Sequence, residues 1–431
     1  MNANQTNGIF YGWYVVLACS VIYGLSGVAH YSAPIFFPFI SKEMGWASAE
    51  LGTIYTIYLG IFLCGGLLAG FLVDRIGGRR TFIIGSFIAG TGLVLMTTMQ
   101  SINQMIIYFS AISAIGIAMQ LVIPTQAVAR KWFVKRAGLT AGIIAACFGL
   151  ISSFLAPTFT YLAGTYGWRT VLLQYTISFE VIIILLAIFV VRDTPESMGL
   201  HPDGVSPNVS ANSQSAAEET EEPYFTVFQA LKTPQLWLIA FAFGFCSLVI
   251  ISYLAHLQMW AVNVGASAEA SGTFFPFWAL PSVVARIAGG WLGDRLGKRP
   301  VAIGALILMV GVSIAGWLGI HSPTTLYVFS IGGGFLMIIP VVLGTPFLGD
   351  LFGRRHLGTL VGCLGIMGGT FAALGPFFWG KIATLTGSYN QGLLYAAIGY
   401  AIGAICIACI RPTSVERETV IAARQKAAAA S

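Results

Sequence analysis

The sequence predicts an all-α membrane protein of twelve transmembrane helices, arranged as two similar six-helix bundles. Three observations support this fold class: a very apolar composition, twelve long apolar runs, and a ten-residue pattern that occurs twice. The chain is 57% hydrophobic and only 9% charged, whereas soluble domains carry about 25% charged residues. A water-soluble chain of 431 residues could not bury so much apolar surface. We therefore expect the lipid bilayer to be its solvent.

Twelve runs are long enough to cross a bilayer, because a helix of about 20 residues spans the hydrocarbon core. Helices are required because lipid offers no hydrogen-bonding partners to open backbone groups. The 51 glycines suit the close helix packing that lipid favours. The predicted spans are 13–37, 50–73, 80–99, 104–129, 138–163, 170–191, 236–262, 271–293, 300–319, 324–349, 358–383 and 392–410.

A ten-residue pattern follows both the second and the eighth predicted span. Residues 70–79 read GFLVDRIGGR, and residues 290–299 read GWLGDRLGKR. A second pair of similar stretches, 136–142 and 355–362, repeats at nearly the same offset. Two halves of about 200 residues, each a set of membrane spans, are an internal symmetry typical of transporters.

A long polar stretch separates the two halves. We predict an N-terminal six-helix bundle over residues 1–192, a cytoplasmic linker over 193–235, a C-terminal bundle over 236–411 and a cytoplasmic tail over 412–431. The centre of the linker is rich in Ser, Asn, Ala and Glu, a composition typical of flexible segments. Residues 225–231 are expected to form a short amphipathic helix on the membrane before the seventh span.

The distribution of cations predicts the orientation of the chain, because cytoplasmic loops carry an excess of Lys and Arg. With a cytoplasmic N-terminus, Lys42, Arg169 and Lys381 fall near the outer side, and Arg286 lies within a span. The other 18 of the 22 lysines and arginines lie in inner loops and tails. We therefore expect a multi-pass protein of the cell inner membrane with both termini in the cytoplasm. The net charge of +6 reflects this topology, and no nucleic-acid partner is expected.

The repeated pattern also has a mechanical interpretation. Its glycines allow a tight turn, and its Asp residues stand at a helix end, where they can pair with cations of a neighbouring loop. Such pairs would latch the cytoplasmic ends of the helices in one conformation and release them in the other. Alternatively, the arginines merely hold the loops in the cytoplasm. The latch candidates are Asp74, Arg75 and Arg136 in the first half, and Asp294, Arg295 and Arg355 in the second.

The duplicated pattern resembles the signature of the major facilitator superfamily, which lies between helices 2 and 3 and again between helices 8 and 9. The resemblance covers about residues 10–411. More narrowly, residues 132–142 look like the helix 4–5 signature of the monocarboxylate transporter family, and residues 11–13 are similar to a degenerate form of its other signature. Bacterial oxalate/formate antiporters share these features and a linker opening similar to residues 192–200. The resemblance implies a secondary transporter of organic anions.

Arg286 is the strongest candidate for binding a substrate. It lies eight residues before Asp294, so about 12 Å from the cytoplasmic end of its helix. Placing Arg there costs on the order of 3 kcal/mol, so it should face a wet cavity or a partner. Its planar fork matches a carboxylate; the alternative is a structural ion pair, and the deepest acidic residue is Glu180. The resemblance agrees, because monocarboxylate transporters carry a carboxylate-binding arginine at the matching place.

The chain departs from the animal monocarboxylate transporters at two positions implicated in proton coupling. Ser282 stands where those proteins have an Asp one turn before the arginine, and Ile35 follows Pro34 where they have a Lys. The oxalate antiporters have a second buried cation in helix 11, whereas Lys381 lies near the outer end of that span here. One central positive charge fits a monoanion better than a dianion.

Several other side chains are candidates for the same cavity. A histidine, whose pKa lies near 6.5 in water, can take up a proton together with an anion, which makes His30 the candidate for proton coupling. A hydrogen-bonding role in the cavity wall is the alternative for His30 and the favoured interpretation of His256. Aromatic residues of membrane helices are more often packing residues. The candidate substrate-binding residues are Arg286, His30, Tyr31, Gln120, Tyr253 and Trp278.

These residues predict a secondary active transporter of small organic monocarboxylates such as lactate, pyruvate or formate. We expect it to work as a monomer in the lipid bilayer, without a cofactor or a metal, with the anion and protons as partners. The alternatives are an antiporter or symporter for a dicarboxylate, an aromatic acid or a sugar acid, and a non-transporting membrane sensor. A sensor gains nothing from a central cation. An enzyme is disfavoured, because the sequence lacks a His-Glu-x-x-His motif, a Ser-centred elbow and a phosphate loop.

Overall fold

The computed structural model describes residues 10–133, 136–204, 225–353 and 357–411. Twelve long helices follow one another in these ranges, and each coincides with one predicted span. The helices are α1 Gly12–Met44, α2 Ser48–Ile76, α3 Gly78–Met96, α4 Ile102–Trp132, α5 Ala137–Tyr166, α6 Trp168–Phe189, α7 Pro234–Asn263, α8 Phe274–Leu296, α9 Lys298–Gly319, α10 Pro323–Phe352, α11 Leu357–Thr386 and α12 Gln391–Cys409.

Eleven helices in the described part of the chain are long and apolar enough to cross a membrane, judged by length and composition. The exception among the twelve is α8, whose central Arg286, two prolines and two tryptophans make it less apolar. Its 23 residues rise about 35 Å, which exceeds the roughly 30 Å of the hydrocarbon core. Its composition, not its length, therefore sets it apart.

Two helices are interrupted along their length. α1 is broken at Tyr31, whose backbone angles are φ −96° and ψ 10°. α4 contains a π-helical stretch, Ile106–Ser113, and is broken at Leu121, with φ −90° and ψ −126°. The predicted spans 13–37 and 104–129 were continuous, and both breaks lie next to polar or aromatic residues that belong to the candidate site.

Residues with hydroxyl side chains form the N-caps of several helices. The hydroxyl of Ser322 accepts a hydrogen bond from the N–H of Thr325, and the Thr325 hydroxyl accepts one from the N–H of Ser322. This capping box satisfies two backbone donors at the start of α10. Thr226 caps the short helix Val227–Leu231 in the same way. That helix lies in the predicted amphipathic stretch, and Phe228 on it is 79% exposed.

The chain divides into two compact units. The first contains Met1–Ala33, Ile61–Leu155 and Tyr166–Ala217, and the second contains Pro34–Gly60, Ala156–Thr165 and Glu218–Ser431. The boundaries fall inside α1, α2 and α5. These three helices therefore contribute residues to both units.

In the first unit, α3 packs against α4 and α6, and α1 packs against the same two helices. A cluster of buried apolar residues that includes Trp132 lies in this unit. The Trp132 indole N–H donates to the carbonyl of Arg192 at 2.8 Å, and the Tyr11 hydroxyl donates to the carbonyl of Val190 at 2.9 Å. Both family-signature stretches therefore hold the segment that follows α6.

In the second unit, α9 packs against α10 and α12, and α7 packs against the same two helices. These pairs correspond to those of the first unit, six helices later, so the repeat in the sequence is matched by a repeat in the packing. In addition, α7 packs on α11 and α8 packs on α10. The α8–α10 contact needs a glycine, because a Cβ on Gly334 would overlap the carbonyl oxygen of Trp278.

Candidate substrate-binding site

The six side chains predicted to bind substrate are divided between the two units. Three of them, His30, Tyr31 and Gln120, belong to the first unit. The other three belong to the second unit: Tyr253, Trp278 and Arg286.

Arg286 lies on α8 and its side chain is half-buried. Ser282 lies one helical turn before Arg286 on the same helix. The Ser282 hydroxyl is not aimed at the arginine, because it donates to the carbonyl of Ala279 at 2.7 Å. Ser282, which stands where the animal monocarboxylate transporters have an Asp, therefore gives Arg286 no acidic partner.

Trp278 has an indole donor that no described residue accepts. The side chain is 4% exposed, and its Nε1 atom has no hydrogen-bond partner in the described ranges. Two other buried tryptophans of the same unit are satisfied: Trp260 donates to Asn390 Oδ1 at 3.0 Å, and Trp379 donates to the carbonyl of Tyr389 at 3.1 Å. A buried donor left open on the helix that carries the arginine is suited to bind an acceptor.

Tyr253 on α7 is 1% exposed, and its hydroxyl is hydrogen-bonded to the Ser330 hydroxyl at 2.7 Å. Because Ser330 also donates to the carbonyl of Leu326, the Tyr253 hydroxyl is the donor in this bond. Its ring stands at a steep angle to that of Trp260, with centroids 6.1 Å apart. Tyr253 is thus fixed in place from both sides.

His256, one turn after Tyr253, is fully buried. Its Nε2 atom lies 2.8 Å from the carbonyl of Pro376 on α11, and its Nδ1 atom has no partner among the described residues. Its ring faces Tyr389, in the loop before α12, at 5.5 Å. Burial raises the pKa of the Tyr389 hydroxyl, which bonds Ser48 at 2.5 Å.

His30 and Tyr31 lie at the break in α1. The two rings meet edge to face at 4.9 Å, and the His30 ring also lies 4.7 Å from that of Phe62. Tyr31 in turn packs against Phe148 on α5, with ring centroids 5.7 Å apart. His30 is 7% exposed and Tyr31 is 8% exposed. The rings of Tyr31 and Phe62 therefore pack against the imidazole ring of His30.

Gln120, next to the break in α4, is fully buried at the centre of a polar network. Its amide nitrogen donates to Ser86 at 3.0 Å and to Glu180 at 2.8 Å, and its amide oxygen accepts from Ser26 at 2.8 Å. The four side chains come from α1, α3, α4 and α6. Gln120 was predicted from sequence, but its partners were not, since they lie 34 to 94 residues away along the chain.

The two copies of the repeated pattern place one arginine in the same way. The Arg75 guanidinium lies over the Phe71 ring at 4.7 Å, and that of Arg295 lies over the Trp291 ring at 4.3 Å. Each pair is one helical turn apart, and such contacts are worth about 0.5–1 kcal/mol at exposed sites. In this conformation the first arginine of each motif is therefore held against its own helix.

Asp74 and Asp294 are exposed, and neither makes an ion pair with any residue that the structure describes. Arg136 is exposed as well. Arg355, the remaining latch candidate, lies outside the described residues. An ion pair within the described ranges joins Lys298 at the start of α9 to Asp350 near the end of α10, with 2.5 Å between Nζ and Oδ2. The sequence-based latch pairs stay a prediction.

The first motif has a further partner that sequence reasoning missed. Asp193, after α6, accepts a hydrogen bond from the N–H of Arg79 at 3.0 Å, at the start of α3. A carboxylate is favourable there because helix N-termini carry unpaired N–H groups and a positive partial charge. The carboxylate contacts Gly77, where a Cβ would overlap it. Gly77 therefore allows the turn and also leaves space for the Asp193 carboxylate.

Within the described ranges, no group of three or more His, Cys, Asp or Glu side chains is placed to hold a metal ion. The seven cysteines are free thiols.

Known proteins with similar sequences are transporters. A family model of the Major Facilitator Superfamily matches residues 19–288 and 255–430 of the chain. The chain is 24% identical over 411 residues to monocarboxylate transporter 2 of Mus musculus, an alignment that covers 91% of this chain and 82% of that protein.

Solved structures show the same fold. A bacterial homolog of the human lysosomal transporter Spinster, in an inward-facing and occupied conformation, superposes with a TM-score of 0.75 at 13% identity, covering 93% of this chain and 97% of that chain. A mutant of the nucleoside transporter NupG superposes with a TM-score of 0.69 at 11% identity, covering 93% of this chain and 99% of that chain. At such low identity the likeness concerns the fold alone.

Proposed function

The chain belongs to the Major Facilitator Superfamily, and on this premise we propose that it is a secondary active transporter of small organic monocarboxylates. It has the fold of that superfamily and is a multi-pass membrane transporter, not an enzyme. The proposed substrates are anions of the size of lactate, pyruvate or formate. They would cross the cell inner membrane by alternating access, carried by a monomer with both termini in the cytoplasm.

The observation that carries this proposal is the Arg286 guanidinium on α8, on the same helix as the open indole donor of Trp278. A guanidinium can bind both oxygens of one carboxylate. The open indole N–H of Trp278 marks a second position on α8 where a hydrogen-bond acceptor can bind. The similarity to a monocarboxylate transporter supports the same substrate class.

A monoanion is favoured over a dianion. The eleventh span, which carries the second cation in the oxalate antiporters, contains only Lys381, and that side chain is exposed near one end of α11. A second carboxylate would therefore be desolvated without a matching charge, which is costly. A larger aromatic or sugar acid remains the alternative substrate, and exchange of two anions remains the alternative mode.

His30 and Tyr31 are proposed as further substrate-binding residues, and His30 is proposed to take part in proton coupling. Its contacts with Tyr31 and Phe62 would hold the ring in one orientation. Gln120 and Tyr253 are proposed as the remaining polar groups of the site, although the hydrogen bonds that each makes within the protein limit what it can offer a ligand.

The proposal is tested by uptake of labelled lactate into proteoliposomes with an imposed proton gradient. In Arg286→Lys the charge stays but the fork is lost, and losing one charge-assisted hydrogen bond costs roughly 1.5–3 kcal/mol. Affinity should therefore fall about tenfold to more than a hundredfold. Arg286→Ala should abolish uptake. Lys381→Ala removes a positive charge at an exposed position and should leave uptake unchanged.

Two results would contradict parts of the proposal. Transport by Arg286→Ala at the wild-type rate and affinity would remove both the site assignment and the anion class. Wild-type uptake that ignores the proton gradient would remove only the coupling role. Thermal-shift measurements with mono- and dicarboxylates would then identify which acid binds.

A further inference from the structure

A carboxyl group lies in the middle of a membrane helix of the first unit. Glu180 is the thirteenth of the 22 residues of α6, and its side chain is 7% exposed. An acidic side chain at the centre of a membrane span is costly when ionised, on the order of 3 kcal/mol on insertion scales. Such residues are retained mainly where they have a function.

The groups that contact Glu180 are neutral. Gln120 donates to it at 2.8 Å, and Ser86, which itself accepts from Gln120, stands beside both. No Lys, Arg or His makes an ion pair with Glu180 in the part of the chain that the structure describes. The site can therefore hold a neutral carboxylic acid without separating an established ion pair.

The hydrogen bonds of the network run in one direction. Ser26 donates to the oxygen of Gln120, and the nitrogen of Gln120 donates onward to Ser86 and Glu180. The amide group of Gln120 therefore links Ser26 to the carboxyl group of Glu180. Hydrogen bonds to an ionised acceptor are about twice as strong as neutral ones, so ionisation of Glu180 would tighten the whole network and protonation would loosen it.

The network also crosses a break in the backbone. Gln120 directly precedes Leu121, where α4 is interrupted, and Ser26 lies one turn before His30 and the break of α1. Interrupted helices are the parts of transporters that border the transported species and rearrange. A change in the charge of one carboxyl group would therefore act on two helices that can move.

We propose that the Glu180 carboxyl group, held by Gln120 and Ser86, is a proton-binding site that couples proton movement to substrate transport. The proposal rests on the proposed monocarboxylate transport and adds a proton carrier on α6 to the coupling role proposed for His30. Protonation would loosen the Gln120 bond and permit the rearrangement of α4; release of the proton would restore the bond. The carboxylate of the substrate would be bound by Arg286.

Other titratable groups border this site. Tyr175, on α6 itself, is 5% exposed and lies near enough for its hydroxyl to interact electrostatically with Glu180. The helices packed against α6 are α1 and α3, and α4 reaches it through Gln120. The other titratable or charged groups on these helices are Tyr14, Cys19, Tyr23, His30, Tyr31, Lys42 and Glu43 on α1, Arg79 and Arg80 on α3, Tyr108, Arg130 and Lys131 on α4, and Arg169 on α6.

The role of Glu180 is tested by measuring proton-driven uptake of lactate separately from exchange of internal for external lactate. Glu180→Gln keeps the size of the group and a hydrogen-bonding amide but cannot bind a proton. In proteoliposomes we expect it to lose uptake of labelled lactate driven by a proton gradient, and to keep exchange of internal for external lactate, because exchange moves no net proton. Glu196→Gln removes an exposed carboxyl group and should keep both activities.

Infrared difference spectroscopy between acid and alkaline pH gives a readout that needs no substrate. The wild-type protein should show the C=O stretching band of a neutral buried carboxylic acid. The band should be absent in Glu180→Gln and unchanged in Glu196→Gln. If Glu180→Gln fails to fold, Gln120→Met is the second variant: loss of its N–H donor should shift the band, and an unshifted band would overturn the proposal.

The outcomes are distinct. Gradient-driven uptake by Glu180→Gln at the wild-type level overturns the proposal, and so does a loss of uptake and exchange together, which indicates a structural role. If the wild-type protein takes up no monocarboxylate, the proposed substrate class fails. The infrared band then still decides whether Glu180 binds a proton.

Discussion

At the scale of single residues, the repeated motif is constrained by backbone conformation as well as by charge. Gly77 has φ 85° and ψ 160°, and Gly297, at the matching place of the second copy, has φ 90° and ψ 141°. This region of backbone space is essentially restricted to glycine. The two positions differ in their surroundings, because the carboxylate of Asp193 lies against Gly77 whereas only Pro300, at 3.5 Å, is near Gly297.

That difference leads to a paired prediction. Gly297→Ala should cost about 1–3 kcal/mol for backbone strain alone. Gly77→Ala should cost more, since its Cβ must also displace Asp193 from the start of α3. Thermal unfolding of the two variants in the same detergent tests this order. Gly142→Ala is the control, because nothing lies within 4 Å of a Cβ there. Equal losses at Gly77 and Gly297 would contradict the role of Asp193.

The candidate site could be predicted from sequence only where a single residue is unusual in its context. Arg286 stands out because a cation in the middle of an apolar run is costly, and Glu180 stands out for the same reason. The partners of Gln120 could not be predicted, because serines do not stand out in apolar runs and these contacts join helices distant in sequence. The role of Asp193 was missed because it follows the last apolar residue of its span.

At the scale of elements, hydrophobic length predicted the long helices to within about three residues at either end, except that α1 continues to Met44 and not to 37, and it missed the breaks. The break at Tyr31 lies between His30 and Ser32 and the break at Leu121 follows Gln120, but both lie inside runs whose average composition is apolar. Hydropathy averages over about 20 residues, so it cannot show where one backbone angle leaves the helical region. A local signal was present in the sequence, because Pro34 and Pro124 each stand three residues after a break and have no N–H to donate to the preceding turn.

The proposed latch, in which Asp74 and Asp294 pair with cations of neighbouring loops, can be tested by substitution. Asp294→Asn should keep the fold and shift the conformational equilibrium toward inward opening. The shift should be graded, because partly exposed ion pairs are worth only about 0.2–1 kcal/mol each. Distances between spin labels at the exposed positions Arg80 and Pro300 measure the shift, after replacement of the native cysteines.

Matched variants distinguish a latch from a local ion pair. Asp74→Asn should shift the distances in the same direction as Asp294→Asn. Asp350→Asn removes the observed pair with Lys298, in which the two side chains are 46% and 20% exposed. That pair lies within the second unit, so its loss should lower thermal stability slightly and leave the distances unchanged. Unchanged distances in both motif variants would rule out the latch.

At the scale of the whole molecule, the internal repeat carries most of the information that sequence offers. The same pairs of helices pack in both units, six helices apart. The repeat in the sequence therefore predicts a repeat in the helix packing. Orientation has a different origin. It depends on where cations lie relative to the spans, and 18 of 22 lysines and arginines fall in the loops and tails predicted to be cytoplasmic.

The orientation can be tested with paired fusions. Green fluorescent protein fused after residue 212 should fluoresce, and alkaline phosphatase inserted near Ser101 should be active, because the first reporter requires the cytoplasm and the second the outer side. Exchanging the reporters should silence both. The reason is energetic: reversing the topology would carry the cations of all inner loops across the membrane, against the positive-inside preference. An active phosphatase after residue 212 would show that cation asymmetry does not set the topology of this chain.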